Sequence, residues 1–271
     1  MIIGASSFAG TIEEIKNEVQ SVELYIPKLG LYKNLQLQDG ILDDIIDALS
    51  TSDLATSIHA PYFADVPTYP KELVVDTANM DRTHFRLMEE SIELANRLNS
   101  KVVVIHPGRI NGNRALSFSN MVENLKELAS TAHDYGVMLG LENKEGTDPG
   151  NLCCNTAELL DAVAAVDSSN LGITFDVGHA NLTCGGVSEK VREFAKDLNG
   201  HVVHIHLHDN NGVWTNEYAG DMHMAPGSGN VDFSVINEIS DYSGIYNLEV
   251  FSIDDIVSGK NIIFKTRMTE S

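Results

Sequence analysis

The sequence predicts an α/β protein built as a closed (β/α)8 barrel, one domain over residues 1–271. Three observations carry that prediction. Short β-branched apolar runs recur eight times along the chain. Segments of helical periodicity separate them. Six successive runs finish in histidine, glutamate or aspartate, placing chemistry where barrel active sites lie. Eight units over this length make roughly 34 residues each, which suits one βα unit per barrel position. A doubly wound open sheet fits less well, because Gly4 and Gly10 stand alone without a G-x-G-x-x-G turn after the first strand.

Residues 2–4 form the first expected strand, and Thr11-Ile-Glu-Glu14 reads as a capping box opening the first helix. The second strand, 21–26, is followed by Ile41, Leu42, Ile45, Ile46 and Leu49, spaced as an apolar helical stripe. The third, 55–59, runs into His59-Ala-Pro-Tyr62, and an amphipathic helix is expected over 79–99. The fourth, 101–106, runs into His106-Pro-Gly108 and a helix over 117–135. The fifth, 136–142, ends Leu141-Glu142-Asn143, before a helix near 155–166. The sixth, 171–176, ends in Asp176-Val-Gly-His179, before a helix near 187–199. The seventh, 201–207, carries His206-Leu-His208-Asp209. After it, the segment 211–232 holds Trp214, Asp221-Met-His223 and Pro226-Gly-Ser-Gly229, and a helix is expected near 232–240. The eighth strand, 245–251, contains Glu249 and precedes a helix near 254–266.

A closed barrel brings His59, His106, Glu142, Asp176, His206 and Glu249 to one mouth. Three imidazoles and three carboxylates gathered there are a divalent-metal donor set. Without a cation the carboxylates would repel one another and lose hydration. Any one strand-end histidine alone reads as a hydrogen-bonded loop residue; the succession points to a metal. The Gly-rich segment with Asp221 and His223 can fold over the mouth, and Trp214 within it is a candidate lid and substrate contact. His208 is a second candidate substrate contact. His204 shares strand parity with His206 and is expected to line the interior below it. His84 and His133 read as surface residues of helices, and Arg109 and Arg114 as surface charge.

Lys plus Arg total 18 against 39 Asp plus Glu, a net charge of −21. Such a surface repels phosphate backbones, so composition speaks against nucleic acid as a partner. Three cysteines, Cys153, Cys154 and Cys184, make no disulfide framework and read as structural thiols. No signal-peptide layout opens the chain and no apolar run approaches membrane-spanning length, so a cytoplasmic protein without a membrane partner is expected. The sequence leaves oligomeric state open.

In their order, these motifs resemble the xylose isomerase-like TIM barrel superfamily over about residues 2–251. That group includes endonuclease IV (AP endonuclease family 2) and many sugar isomerases and epimerases. The isomerase resemblance implies one Mn, Mg or Co ion held by Glu142, Asp176, His206 and Glu249. It implies chemistry on a sugar or sugar phosphate through a metal-stabilised enediolate, with Glu142 and Glu249 moving the proton and His179 binding a substrate oxygen. The endonuclease resemblance implies up to three zinc ions. Glu142 would then bridge a first ion, held with His59 and His106, and a second, held with Asp176, His206 and Glu249. His179, Asp221 and His223 would hold the third. Its reaction would be hydrolysis beside an abasic site, with Tyr62 and Phe63 as wedges in the DNA stack.

Departures from the nuclease pattern decide the expectation. The N-terminal Gly-x-His-x-Ser has no histidine in Gly4-Ala-Ser-Ser-Phe8. The Cys-His element is Gly178-His179, and the lysine of the Asn-Asp-Ser-Lys stretch is missing from His208-Asp-Asn-Asn211. The expected function is therefore a metal-dependent sugar isomerase or epimerase, with a small-molecule sugar as partner. A zinc-dependent apurinic/apyrimidinic endonuclease is the alternative, and the expected cofactor is one to three Zn or Mn ions.

Overall fold

Eight parallel strands close on themselves in the computed structural model, which describes residues 1–33, 36–62 and 75–268. They are β1 (Ile2–Ser6), β2 (Ser21–Tyr25), β3 (Ala55–His59), β4 (Val102–Ile105), β5 (Met138–Glu142), β6 (Leu171–Asp176), β7 (Val202–Leu207) and β8 (Ile245–Leu248). Each pairs with its sequence neighbours, and β1 pairs with both β2 and β8, which closes the barrel. All eight expected strands are present, within about two residues at most ends and three at the eighth. A short antiparallel hairpin, Tyr32–Lys33 with Gln36–Leu37, lies outside the barrel and was not expected.

Among the described residues, eight α-helices surround the barrel: α1 (Ile12–Ile15), α2 (Asp39–Ser50), α3 (Arg82–Arg97), α4 (Arg114–Tyr135), α5 (Thr156–Val166), α6 (Val177–Thr183), α7 (Ser188–Leu198) and α8 (Ile253–Met268). Polar side chains fix where several begin. Thr11 and Glu14 form the reciprocal capping box of α1, a single turn. Asp81, Asn113 and Asn155 cap α3, α4 and α5 by accepting from backbone N–H groups of the first turn. On α2, Leu42 and Ile45 are buried while Ile41 is 38% exposed, so the stripe is narrower than its spacing implies. The helix expected near 232–240 is a 3-10 helix, Phe233–Glu238.

The apolar core lies between strands and helices. Inside the barrel, toward the mouth, the filling is polar: Glu23, Ser57, His204 and Asn247 are fully buried. Glu23 reaches from β2 across the lumen, accepting from Ser57 (3.0 Å), Asn247 (3.0 Å) and His204 (2.9 Å). This layer is the floor on which the mouth is built. Phe63 lies outside the described residues.

Candidate metal centre

The strand ends deliver the expected donors. His59, Glu142 and Asp176 are the last residues of β3, β5 and β6. His106 and Glu249 follow β4 and β8 by one residue, and His206 sits one residue inside the end of β7, in register with Asp176. Donor atoms of Glu142, Asp176, His206 and Glu249 lie within 4.8 Å of one another, as do those of His59, His106 and Glu142. A third group joins His179, His208, Asp221 and His223. The three groups bring together all nine expected metal ligands and add His208, which sequence reasoning placed only as a substrate contact.

His106 Nε2 is 2.8 Å and His59 Nε2 3.7 Å from Glu142 Oε2. His206 Nδ1 faces three carboxylates, at 3.5 Å from Glu249, 3.6 Å from Glu142 and 3.8 Å from Asp176. Asp221 Oδ2 lies 3.3 Å from both His179 Nε2 and His223 Nε2. His208 Nε2 is 3.1 Å from Asp176 Oδ1, and its ring stacks on His223 with centroids 4.1 Å apart.

These residues fit a divalent cation. Asp176 Oδ2, Asp221 Oδ1 and His206 Nδ1 are buried and make no hydrogen bond among the described residues. Buried polar atoms without partners are costly, and a cation gives each of them one. The charge states suit ligation. Burial works against the charged forms of the carboxylates. Even so, neighbouring His106 and Lys144 hold Glu142 well below the usual range, and His179 and His208 push Asp176 down to about 2. Burial and the nearby Lys144 charge lower the pKa of His106, against the pull of Glu142 at 2.8 Å.

Local sequence explains the placement. Asp176 both ends β6 and caps α6, accepting from His179 N at 2.6 Å, so strand end and helix start share one carboxylate. Asn143 locks the two strand ends, donating to Asp176 O (2.9 Å) and accepting from Asp176 N (2.8 Å). Gly178 is needed for contact: a Cβ there would lie 2.2–2.5 Å from three atoms of the His208 ring. Asp209, fully buried, accepts from the N–H groups of Asn210, Gly227, Gly229 and Val231 at 2.9–3.0 Å. It thereby joins the His-Leu-His-Asp and Pro-Gly-Ser-Gly motifs and holds the segment carrying Asp221 and His223. His223 adopts a left-handed φ of 45°, and its Nδ1 meets Glu249 O at 2.9 Å.

Two residues of the site were missed. Glu23 meets His206 Nε2 at 3.1 Å, and Lys144 places its ammonium 3.2 Å from His179 Nε2. Tyr62, half-buried, stacks on His106 at 3.9 Å and borders the mouth. Trp214 is 59% exposed on its loop and belongs to none of the groups. The carboxylates met by Arg109 and Arg114 are the chain's own, Asp148 and Glu158, both at ion-pair distances below 3 Å. No described helix is long and apolar enough to cross a membrane.

Known proteins place this geometry. An uncharacterized protein of Methanocaldococcus jannaschii is 35% identical over 213 residues, 76% of this chain and 68% of that one. A solved structure titled D-tagatose 3-epimerase-like protein superposes with a TM-score of 0.81 at 28% identity, covering 99% and 98% of the two chains. A probable endonuclease 4 of Mesomycoplasma hyopneumoniae is 23% identical over 160 residues, 56% of this chain and 52% of that one. A family model described as xylose isomerase-like TIM barrel matches residues 15–264. With that match spanning seven of the eight barrel strands and every candidate donor of the mouth, the chain belongs to the xylose isomerase-like TIM barrel family.

Proposed function

We propose that this protein is a divalent-metal-dependent isomerase or epimerase acting on a sugar or sugar phosphate. The observation that carries the reading is the pair Glu142 and Glu249. Their carboxylates flank His206 Nδ1 at 3.6 and 3.5 Å and face one space at the mouth. The epimerase-like structure at 28% identity supports the substrate class.

Glu142, Asp176, His206 and Glu249 would hold the ion, Zn or Mn by the mixed donor set, with Mg or Co also accommodated. When bound, the ion supplies a positive charge opposite the negative charge developing on the sugar oxygens. The rest falls to the chain's own groups. One of Glu142 and Glu249 takes the proton from the carbon beside the carbonyl, leaving the electron pair as an enediolate. The other returns a proton to carbon. His179, His208 and Tyr62 orient the substrate at the mouth.

The test is solvent-deuterium uptake at carbon over a panel of ketoses, inososes and their phosphates, with Mn- and Zn-loaded protein. Uptake abolished by Glu142→Gln and Glu249→Gln is expected; no uptake across the panel would sink the reading.

One observation favours a second reading, abasic-site endonuclease: the His59–His106 and His179–His208–Asp221–His223 groups add metal-type donors beyond what a single ion needs. Metal-dependent incision of a duplex carrying one abasic site, lost in Glu142→Gln, would establish it over the first.

A further inference from the structure

Four of the histidine donors have one ring nitrogen held by the chain. His59 Nδ1 meets Ala60 O at 3.0 Å, His179 Nδ1 meets Asn143 O at 2.9 Å and His223 Nδ1 meets Glu249 O at 2.9 Å. His206 Nε2 meets Glu23 at 3.1 Å. Contacts of this kind fix the orientation of a ligating ring. Among the described residues His106 has none of them. Its Nε2 faces Glu142 at 2.8 Å and its ring stacks on Tyr62 at 3.9 Å.

Its restraint sits on the backbone instead. Thr77, 2% exposed, donates its hydroxyl to His106 O at 2.7 Å. Thr77 is itself tied to α4, its carbonyl accepting from Asn124 Nδ2 at 2.8 Å. Asp76 Oδ1 accepts from Ala78 N and from Arg109 N, both at 3.0 Å. Two consecutive residues ahead of α3 thus grip the segment His106-Pro-Gly-Arg109 at both ends. Pro107, inside it, has no N–H to offer. Gly108 makes the close approach possible. It has a φ of 88°, and a Cβ there would lie 2.2 Å from Asp76 Oδ1 and 2.5 Å from Ala78 N.

We propose that Asp76 and Thr77 are positioning residues for His106, setting the approach of its ring to Glu142 and so the metal affinity of the His59–His106–Glu142 group. The inference rests on the metal-dependent reading above. A ligand has to be held within about 0.5 Å of its working place by the groups around it. For His106 that work falls to a hydroxyl and a carboxylate that touch neither metal nor substrate.

The test is stepwise Zn2+ affinity by competition with a chromophoric chelator, with Co2+ ligand-field spectra alongside. His106→Ala identifies the zinc equivalent that depends on His106. Thr77→Val, which keeps the shape and removes the hydroxyl, should weaken that same equivalent about tenfold and change its Co2+ spectrum. Thr77→Ser, which restores the hydroxyl, should match wild type. Added to His106→Ala, Thr77→Val should weaken zinc no further, an outcome that general loosening of the barrel would not give. Wild-type affinity in Thr77→Val overturns this inference alone, as does an equal loss with and without His106, or a His106→Ala protein that binds zinc as wild type does. No zinc in wild type overturns it together with the proposed function. Should Thr77→Val not fold, Asp76→Ala takes its place: it should weaken the same equivalent, and unchanged affinity there overturns the inference.

Discussion

Glu23 on β2 grips the far side of the His206 ring. One carboxylate oxygen lies 3.1 Å from Nε2, while Nδ1 points at Glu142, Asp176 and Glu249. A carboxylate that accepts from one imidazole nitrogen fixes which nitrogen is left for a metal, and makes it a better donor. Glu23→Gln should therefore weaken Zn2+ binding about 10–100-fold with the barrel intact. Competition against a chromophoric chelator measures this. Glu23→Ala, which also strips partners from His204, Ser57 and Asn247, should cost about 3–5 kcal/mol of stability. Unchanged zinc affinity in Glu23→Gln would show that the contact does not tune His206.

Gly178→Ala should damage the site without touching a charged group. The added methyl meets the His208 ring at less than 2.6 Å, so ring or helix must move. A cost of about 1–3 kcal/mol is expected, seen as a fall of roughly 2–10 °C in Tm. A Tm within a degree of wild type would mean that the ring relocates freely.

Asp209 holds four backbone N–H groups on one buried carboxylate. In Asp209→Ala those donors lose their acceptor in a place water reaches poorly. The loss should exceed about 3 kcal/mol in urea unfolding, with faster proteolysis in the segment 211–231. Protection from protease equal to wild type would place the restraint elsewhere.

Acid should weaken the tie between the loops after β4 and β5. Asp148 accepts from Arg109 at 2.8 and 3.1 Å and from Gly150 N at 2.9 Å. Burial opposes its charge, yet these partners hold its carboxyl below the ordinary 3.8. Because the folded value is depressed, the stabilisation is present above the unfolded value and fades as pH falls through the folded one. Arg109→Met should therefore lower stability at pH 7 by about 1 kcal/mol or less, the pair being partly exposed. It should also flatten the decline below about pH 4. Urea midpoints from pH 7 to pH 3 provide the check; parallel declines in both proteins would contradict it.

The donors were legible because each closes a strand: His59, His106, Glu142, Asp176, His206 and Glu249 stand where apolar runs stop. Glu23 was hidden because a carboxylate inside Ser21-Val-Glu-Leu-Tyr25 reads as the solvent-facing position of an alternating strand. Its partners His204 and His206 are 181 and 183 residues away, and barrel closure alone brings them together. The available signal was the lone charge in a strand whose interior face has to be filled. Lys144 carries no signal of its own, because nothing in Glu142-Asn-Lys-Glu145 tells which way its side chain turns. Helix α6 was missed because its seven residues are too few for a periodic stripe, and its cap, Asp176, had already been read as a strand end.

The contact between β2 and β7 also sets an order of events in folding. Glu23 emerges early and His206 late, and Glu249 follows on the last strand. Half of the expected ion cage is therefore missing until the final quarter of the polypeptide has joined the ring. Such pairings between distant parts of a chain form slowly. A nascent or truncated chain would offer a metal only scattered, partial sites, so tight uptake of the ion reports that the ring has closed.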